Sequence, residues 1–502
     1  MMRGLCDFVT THMNEALAVP LIIQGGMGVG VSNWRLARAV SQRGQLGVVS
    51  GTGIDTVLVR RLQDGDPGGH MRRAMQKFPI PQTARDALRL YFRSEGRSPR
   101  EMYKTLPKYK QMVSRAHQQL TMLAAFVEVH LAKAGHDGLV GMNLLTKVQL
   151  PNLALLYGAM LAGVDYILMG AGIPREIPGA LDCLAEHQPA SLRFDVEGPP
   201  PGAVEHLKLD PREHWDEAPP KLKRPRFLPI VASNSLATVL VRKASGRVDG
   251  LVISGPTGGG HNAPSRGEPR FNVRGEPVYG ARDEVDLEKI RGLGVPFWIA
   301  GGAGSPERLR EVRQAGAAGI QVGTLFAYSD ESGLAEDVKR SVLAQAARGE
   351  VDVLTDPRAS PTGYPFKIVR WSADPGAGVT RERICDLGYL RVAYATPEGK
   401  IGYRCSAEPV GAYVRRGGRV EDTEGRRCLC NALMASIGLG QVRAGGWVEP
   451  PLVTSGDDLK SISVFLAGRS RYSAAFVIDY LLSADKRNEA TPLGAAPPRV
   501  TS

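Results

Sequence analysis

Short apolar runs recur eight times along the first two thirds of the chain, and several are followed by amphipathic segments of helical length. Continuous runs rich in Val, Ile, Leu or Met are typical of parallel strands that are covered on both faces. The predicted strands are 20–24, 47–51, 139–145, 166–171, 228–233, 250–254, 297–301 and 319–323. Eightfold alternation of strand and helix predicts an α/β protein with a (β/α)8 TIM barrel, and an open doubly wound sheet is the alternative.

Predicted helices support this alternation. Residues 33–43 form an amphipathic segment after the first strand, and residues 306–315 follow the seventh, with Ser305 as the expected N-cap and Pro306 at the first helical position. The most apolar stretch, 152–173, is interrupted by glycines and an aspartate. It therefore predicts a helix, a turn and a strand rather than a membrane span.

Long connections and composition changes divide the chain further. We predict a barrel over residues 18–350 with two long inserts, 54–138 and 173–226, both leaving strand C-termini on the catalytic face. Residues 351–380 are expected to wrap the barrel, and 381–484 form a cysteine-containing C-terminal region. The polar, Pro- and Ala-rich tail 485–502 is expected to be disordered.

Composition indicates a globular protein with acidic partners. The chain is 43% hydrophobic and 23% charged, with a net charge of +12. This charge suits phosphate-bearing cofactors, a carboxylate-bearing small-molecule substrate or an acidic carrier protein. No basic run with interleaved aromatics favours nucleic acid, and residues 1–19 show no signal-peptide pattern, so we expect a cytoplasmic protein without membrane association. The oligomeric state is open.

Glycines follow the last two predicted strands. Gly301 and Gly302 come after the seventh strand, and Gly323 and Thr324 after the eighth. TIM barrels often bind phosphate at these two loops, where glycines let backbone N–H groups approach the anion. Turn chemistry could explain any one of these glycines, but together the two sites predict a phosphate cradle.

Two further groups of residues predict a cofactor ring and a proton-transfer residue. Gly25, Gly26 and Met27 follow the first strand, and Asn143 lies in the third. Backbone and amide groups of this kind suit the polar edge of an uncharged ring. His261 ends a glycine-rich loop after the sixth strand, where an imidazole could accept or donate a proton near neutral pH.

These motifs carry a resemblance. PLIIQGGMG, GMNLL, GGGH, IAGGAG and QVGTLF, in this order, resemble the nitronate monooxygenase family, formerly the 2-nitropropane dioxygenases, and also the related flavin-dependent enoyl-acyl-carrier-protein reductases. TDPRASPTGYPFKIV, residues 355–369, resembles the family's segment that returns over the active site. The resemblance implies FMN at the barrel mouth, with its phosphate on the glycines after strands seven and eight and His261 near the ring as base. Asn262, Ala263 and Pro264 after the histidine depart from the family pattern.

Three functions remain open on the sequence. The first is an FMN-dependent oxidoreductase, nitronate monooxygenase-like, that oxidises a small activated carbon acid. The second is an NAD(P)H-dependent enoyl-thioester reductase that acts on an acyl carrier protein or CoA substrate. The third is a partner-dependent flavoprotein electron-transfer module.

Four of the six cysteines fall within one short stretch of the C-terminal region. They are Cys385, Cys405, Cys428 and Cys430. Sets of four thiolates bind zinc or an iron–sulfur cluster, and the close Cys428–Cys430 pair suits chelation. The sequence therefore predicts one metal site here, with four separately buried thiols as the alternative.

Overall fold

The computed structural model describes residues 19–199, 202–372 and 382–483. The strands of this part are β1 Ile22–Gln24, β2 Gly47–Ser50, β3 Val140–Leu145, β4 Tyr166–Gly170, β5 Ala190–Phe194, β6 Val196–Glu197, β7 Glu205–Leu209, β8 Arg226–Val231, β9 Leu251–Ser254, β10 Phe297–Ala300, β11 Gly319–Val322, β12 Asp352–Asp356, β13 Phe366–Arg370, β14 Val392–Ala395 and β15 Ile401–Arg404.

The α-helices of the same part are α1 Trp34–Ser41, α2 Ile54–Gln63, α3 His70–Met75, α4 Pro81–Tyr91, α5 Arg115–Lys133, α6 Asn152–Leu161, α7 Ile177–Ala185, α8 Asn234–Lys243, α9 Leu287–Arg291, α10 Pro306–Gln314, α11 Thr324–Ala327, α12 Glu336–Ala346, α13 Val410–Arg415, α14 Leu429–Ala435, α15 Ile462–Leu466 and α16 Ala474–Leu481. Within the described residues, none of the helices is long and apolar enough to span a membrane.

Eight parallel strands form the predicted barrel. Their order is β1-β11-β10-β9-β8-β4-β3-β2, and a parallel bridge between Ile23 and Leu46 joins the first strand to the segment leading into β2. All eight strands fall on the predicted apolar runs, so the (β/α)8 prediction is confirmed and the open sheet is wrong. The barrel interior is filled by a separate apolar cluster that includes Tyr166, Leu228 and Trp298.

Local sequence signals set the ends of several barrel helices. Ser305 accepts a hydrogen bond from the Arg308 backbone N–H at 3.1 Å, as expected of an N-cap, and α10 starts at Pro306. Asn33 caps α1 in the same way. The apolar stretch predicted as helix, turn and strand is α6 followed by β4. These helices hold the barrel strands so that their C-terminal ends meet at one face.

Both inserts are structured. The first contains α2 to α5, and the helical pattern predicted around Leu120 lies in α5, which packs against α6 and α1. The second contains α7 and an antiparallel pairing of β5 with β7. Its β6 pairs with β14, so the insert is tied to the C-terminal region.

The segments after the barrel return to its catalytic face. The predicted wrapping segment contains an antiparallel hairpin of β12 and β13, and its end, 373–381, lies outside the described residues. α16 of the C-terminal region packs against α1, α10 and α11 of the barrel. Apolar residues of that region therefore join the main hydrophobic core. The predicted disordered tail also lies outside the described residues, as do residues 1–18.

Candidate functional site

A cavity of about 240 Å³ lies at the C-terminal ends of the barrel strands. Its wall contains almost all of the residues predicted from the sequence, namely Gly25, Gly26, Met27, Asn143, His261, Gly301, Gly323 and Thr324. The structure thus brings together loops that follow four barrel strands and one residue from a fifth strand. Gly302 is the exception, because it is exposed and does not line this cavity.

The loop after β1 approaches β3 too closely for a side chain at Gly26. A Cβ placed there would overlap the Asn143 Cβ and lie 2.9 Å from its Cγ. Gly25 has more room, since its nearest neighbour would be the Val322 carbonyl oxygen at 3.4 Å. The absence of a side chain at Gly26 therefore leaves the Asn143 amide free to face the cavity, as predicted.

Gln321 is a cavity residue that the sequence analysis did not single out. It lies in β11, and its Oε1 atom is buried without a hydrogen-bond partner among the described residues. A buried amide oxygen without a partner is costly, so the site is suited to a ligand that donates a hydrogen bond. The sequence could have indicated Gln321 by its position in the QVG motif, two residues before Gly323.

His261 lies on the cavity wall, and contacts with Ser360 and Phe366 hold its ring in place. Its Nε2 atom is 2.7 Å from the Ser360 Oγ, and its ring makes an edge contact with Phe366 at a centroid distance of 4.8 Å. Ser360 is fully buried and also lies 2.8 Å from the Thr362 Oγ1. The segment between β12 and β13 thus fixes the imidazole through Nε2, which leaves Nδ1 as the nitrogen available to a ligand.

Burial lowers the pKa of His261 from its ordinary 6.5 to about 4. The imidazole is therefore neutral at physiological pH and can accept a proton. If it is the catalytic base, we expect kcat/KM to stay flat from about pH 8 down to about pH 6, because the protonated form appears only near the lowered pKa. A pH profile with an acidic limb between about pH 6 and 7 would contradict this assignment.

The C-terminal region closes the far side of the cavity. Residues 452–456 line it together with Leu433 and Ser436. The Thr454 Oγ1 accepts a hydrogen bond from the Gly260 N–H at 2.8 Å, next to His261. The barrel loops and the C-terminal region thus line one cavity together. No motif in the sequence predicted that the C-terminal region would line it.

The structure does not support the predicted four-cysteine metal site. Among the described residues, no group of three or more His, Cys, Asp or Glu side chains could hold a metal ion. The Cys385 and Cys405 thiols hydrogen-bond to each other, whereas the Cys428 Sγ lies 3.6 Å from the Ile384 carbonyl oxygen. Cys428 is the N-cap of α14, and Cys430 lies inside this helix.

The four thiols lie near one another and differ in protonation. Burial raises the pKa of Cys428 to about 11 and that of Cys430 well above its ordinary value, whereas the hydrogen bond with Cys405 lowers the pKa of Cys385. Arg404, next to Cys405 in the chain, pairs with Glu197 at 2.7 Å.

One family model matches part of the barrel's second half. Residues 217–358 match the family model described as nitronate monooxygenase, which confirms the family resemblance and supports an oxidoreductase. The matched segment holds β8 to β12, including His261 and the glycines after β10 and β11. No curated protein matches the chain.

Solved structures resemble the chain at low sequence identity. FabK from Thermotoga maritima has 17% identity over 94% of this chain and 95% of its own, with a TM-score of 0.44. Nitroalkane oxidase from Streptomyces ansochromogenes has 14% identity, coverage of 95% and 99%, and a TM-score of 0.44. The enoyl reductase domain of MlnA from Bacillus amyloliquefaciens has 12% identity, coverage of 93% and 95%, and a TM-score of 0.46.

The matched family model makes a flavin plausible, and one end of the cavity fits its ring. Among the described residues, the Gln321 Oε1 has no hydrogen-bond partner, and the missing side chain at Gly26 makes room for Asn143 on the cavity wall. At the phosphate end, the Thr324 hydroxyl and the loop after β10 are in contact with the chain's own residues 454–458. The ring end of the cavity is thus open to a ligand, whereas the phosphate end is already in contact with the chain's own residues.

Proposed function

We propose that this chain is an FMN-dependent oxidoreductase that oxidises a small activated carbon acid such as an alkyl nitronate. The observation that carries the proposal is a neutral, oriented His261 on a glycine-lined cavity at the barrel mouth. The family match over residues 217–358 supports the same reaction class. Bound flavin supplies the redox chemistry, since it accepts electrons from the substrate and passes them to dioxygen.

The chain's own residues bind, orient and move the proton. Asn143 and Gln321 would meet the polar edge of the ring, and the missing side chain at Gly26 makes room for Asn143. With a nitroalkane, His261 would take the proton from the substrate carbon through Nδ1; an alkyl nitronate has already lost that proton, and His261 would then only orient it. Phe366 and the residues that line the far wall exclude water, which favours transfer between the bound groups.

Ser360 is expected to be a positioning residue for this base. Replacing it with alanine removes the hydrogen bond at Nε2, so the ring loses its fixed orientation and one buried nitrogen loses its partner. We expect kcat for Ser360→Ala to fall about 10-fold at unchanged flavin content, with Ser360→Thr restoring most of it. The pH profile of kcat/KM should move with the alanine variant, which a purely structural role would not produce.

The substrate class can be tested directly. Purified flavin-loaded protein is given propyl-2-nitronate in air, and dioxygen consumption is followed, while NADH and NADPH are supplied in parallel without nitronate. Nitronate-dependent dioxygen consumption without use of NAD(P)H supports the proposal. Rapid NAD(P)H oxidation that is stimulated by an enoyl thioester favours the reductase instead, and flavin that neither class reduces favours an electron-transfer role.

A further inference from the structure

A segment of the C-terminal region, residues 454–458, lies across the loops that were expected to hold a phosphate. The Gly456 N–H donates to the Thr324 Oγ1 at 3.0 Å, so this hydroxyl oxygen of the predicted phosphate cradle already accepts a hydrogen bond from the protein. The Asp457 N–H donates to the Thr257 carbonyl oxygen at 2.9 Å. The segment is thus fixed to the loops after both β9 and β11.

Asp458 extends this contact to the loop after β10. A Cβ placed on Gly304 would lie 3.0 Å from the Asp458 Oδ2, so this carboxylate is packed directly against the Gly304 backbone. Gly304 immediately precedes the cap of α10, where the seventh-strand loop of a TIM barrel presents N–H groups to a phosphate. A carboxylate of the chain therefore lies where an anionic ligand group would be expected.

The charges around the segment leave Asp458 without a counter-ion. The Lys367 Nζ, almost fully buried, is 3.2 Å from Asp457 and 2.8 Å from the Thr355 Oγ1, and Lys460 also pairs with Asp457. No ion pair to Asp458 is formed within the described part of the chain. Burial and the neighbouring Asp457 raise the pKa of Asp458, whereas the Gly304 N–H lowers it.

We propose that Asp458 is an internal substitute for the ligand phosphate, which must leave Gly304 before a phosphate group can bind there. The inference rests on the proposed flavin site and adds that this site discriminates little between FMN and riboflavin. A carboxylate and a phosphate at one position repel each other and compete for the same N–H donors. The phosphate of FMN therefore contributes little to affinity in the natural chain, and FMN and riboflavin bind about equally.

Two probes test this inference. The first is inorganic phosphate, whose effect on Tm is measured in the natural chain, in Asp458→Asn and in Asp458→Ser. Phosphate should raise the Tm of the two variants and leave the natural chain unchanged, because binding to the native state stabilises it. The control is Glu307→Gln, which removes an exposed carboxylate from the first turn of the same helix and should behave like the natural chain.

The second probe is the ratio of FMN to riboflavin affinity, measured by fluorescence titration. The ratio should rise about 10-fold in Asp458→Asn, with riboflavin affinity unchanged, which is a typical effect of one close like charge. The inference is overturned if the natural chain already binds FMN far more tightly than riboflavin, or if neither variant changes the ratio or gains stability from phosphate. If phosphate stabilises the variants but neither flavin binds any protein, the proposed function fails while the assignment of Asp458 stands.

Discussion

His261→Ala should fold, retain its flavin and lose most of its turnover. The imidazole is neutral, partly buried and fixed through Nε2, so its loss removes a proton acceptor and one ring contact with Phe366 but no backbone hydrogen bond. Loss of general acid–base catalysis typically costs about 10²–10⁴-fold in rate, and we expect kcat on the true substrate to fall within that range. Steady-state kinetics measure the loss of turnover, and the flavin absorbance of the purified variant shows whether the flavin is retained.

An exposed histidine provides the matched control for this variant. His206 lies in β7 of the second insert, away from the cavity wall, and His206→Ala should keep natural turnover. Near-normal turnover in His261→Ala, with flavin present, would reduce His261 to a structural residue of the loop after β9. A variant that loses flavin as well would place it in cofactor binding instead.

Gly26→Ala should abolish stable flavin binding. The added methyl group would overlap the Asn143 Cβ, and the two adjacent segments are barrel elements that cannot separate easily. Overpacking of this kind costs about 1–3 kcal/mol, so we expect flavin affinity to fall about 10- to 100-fold as Asn143 is displaced from the ring site. Flavin content after gel filtration and a fluorescence titration measure the loss.

The adjacent glycine separates a steric effect at the ring site from a general effect on the loop. Gly25→Ala adds the same methyl group, but its nearest contact would be an ordinary one at 3.4 Å. This variant should keep more of its flavin than Gly26→Ala does, although Gly25 also lines the cavity. Equal flavin content in the two variants would contradict the assignment of Gly26 and Asn143 to the ring site.

Hydrophobic periodicity was sufficient for the barrel because each buried parallel strand is a continuous apolar run. The helix N-caps at Asn33 and Ser305 could also be predicted from the sequence, since they depend on hydrogen bonds between residues only a few positions apart. The cavity could be predicted for the same reason. Its glycines and His261 follow strand C-termini, and barrel closure brings those ends together.

The C-terminal region could not be predicted because its contacts are between residues far apart in the chain. Four cysteines within a short stretch indicated a metal site, but in the described part of the chain they do not form a group that could hold a metal ion. Conversely, nothing in the local sequence of residues 452–456 indicates that they line the barrel mouth. Their position depends on packing against loops that are 130 and more residues away, as in the contact between Gly456 and Thr324.

The flavin content of the purified protein tests the central claim most directly. We expect an absorbance spectrum with the visible bands of oxidised flavin, either as purified or after incubation with FMN, and bleaching of those bands by an alkyl nitronate under anaerobic conditions. The Gly26→Ala variant should lack the bands and the Gly25→Ala variant should show them. A colourless natural protein that binds neither FMN nor riboflavin would contradict the account, whatever activity the protein then proved to have.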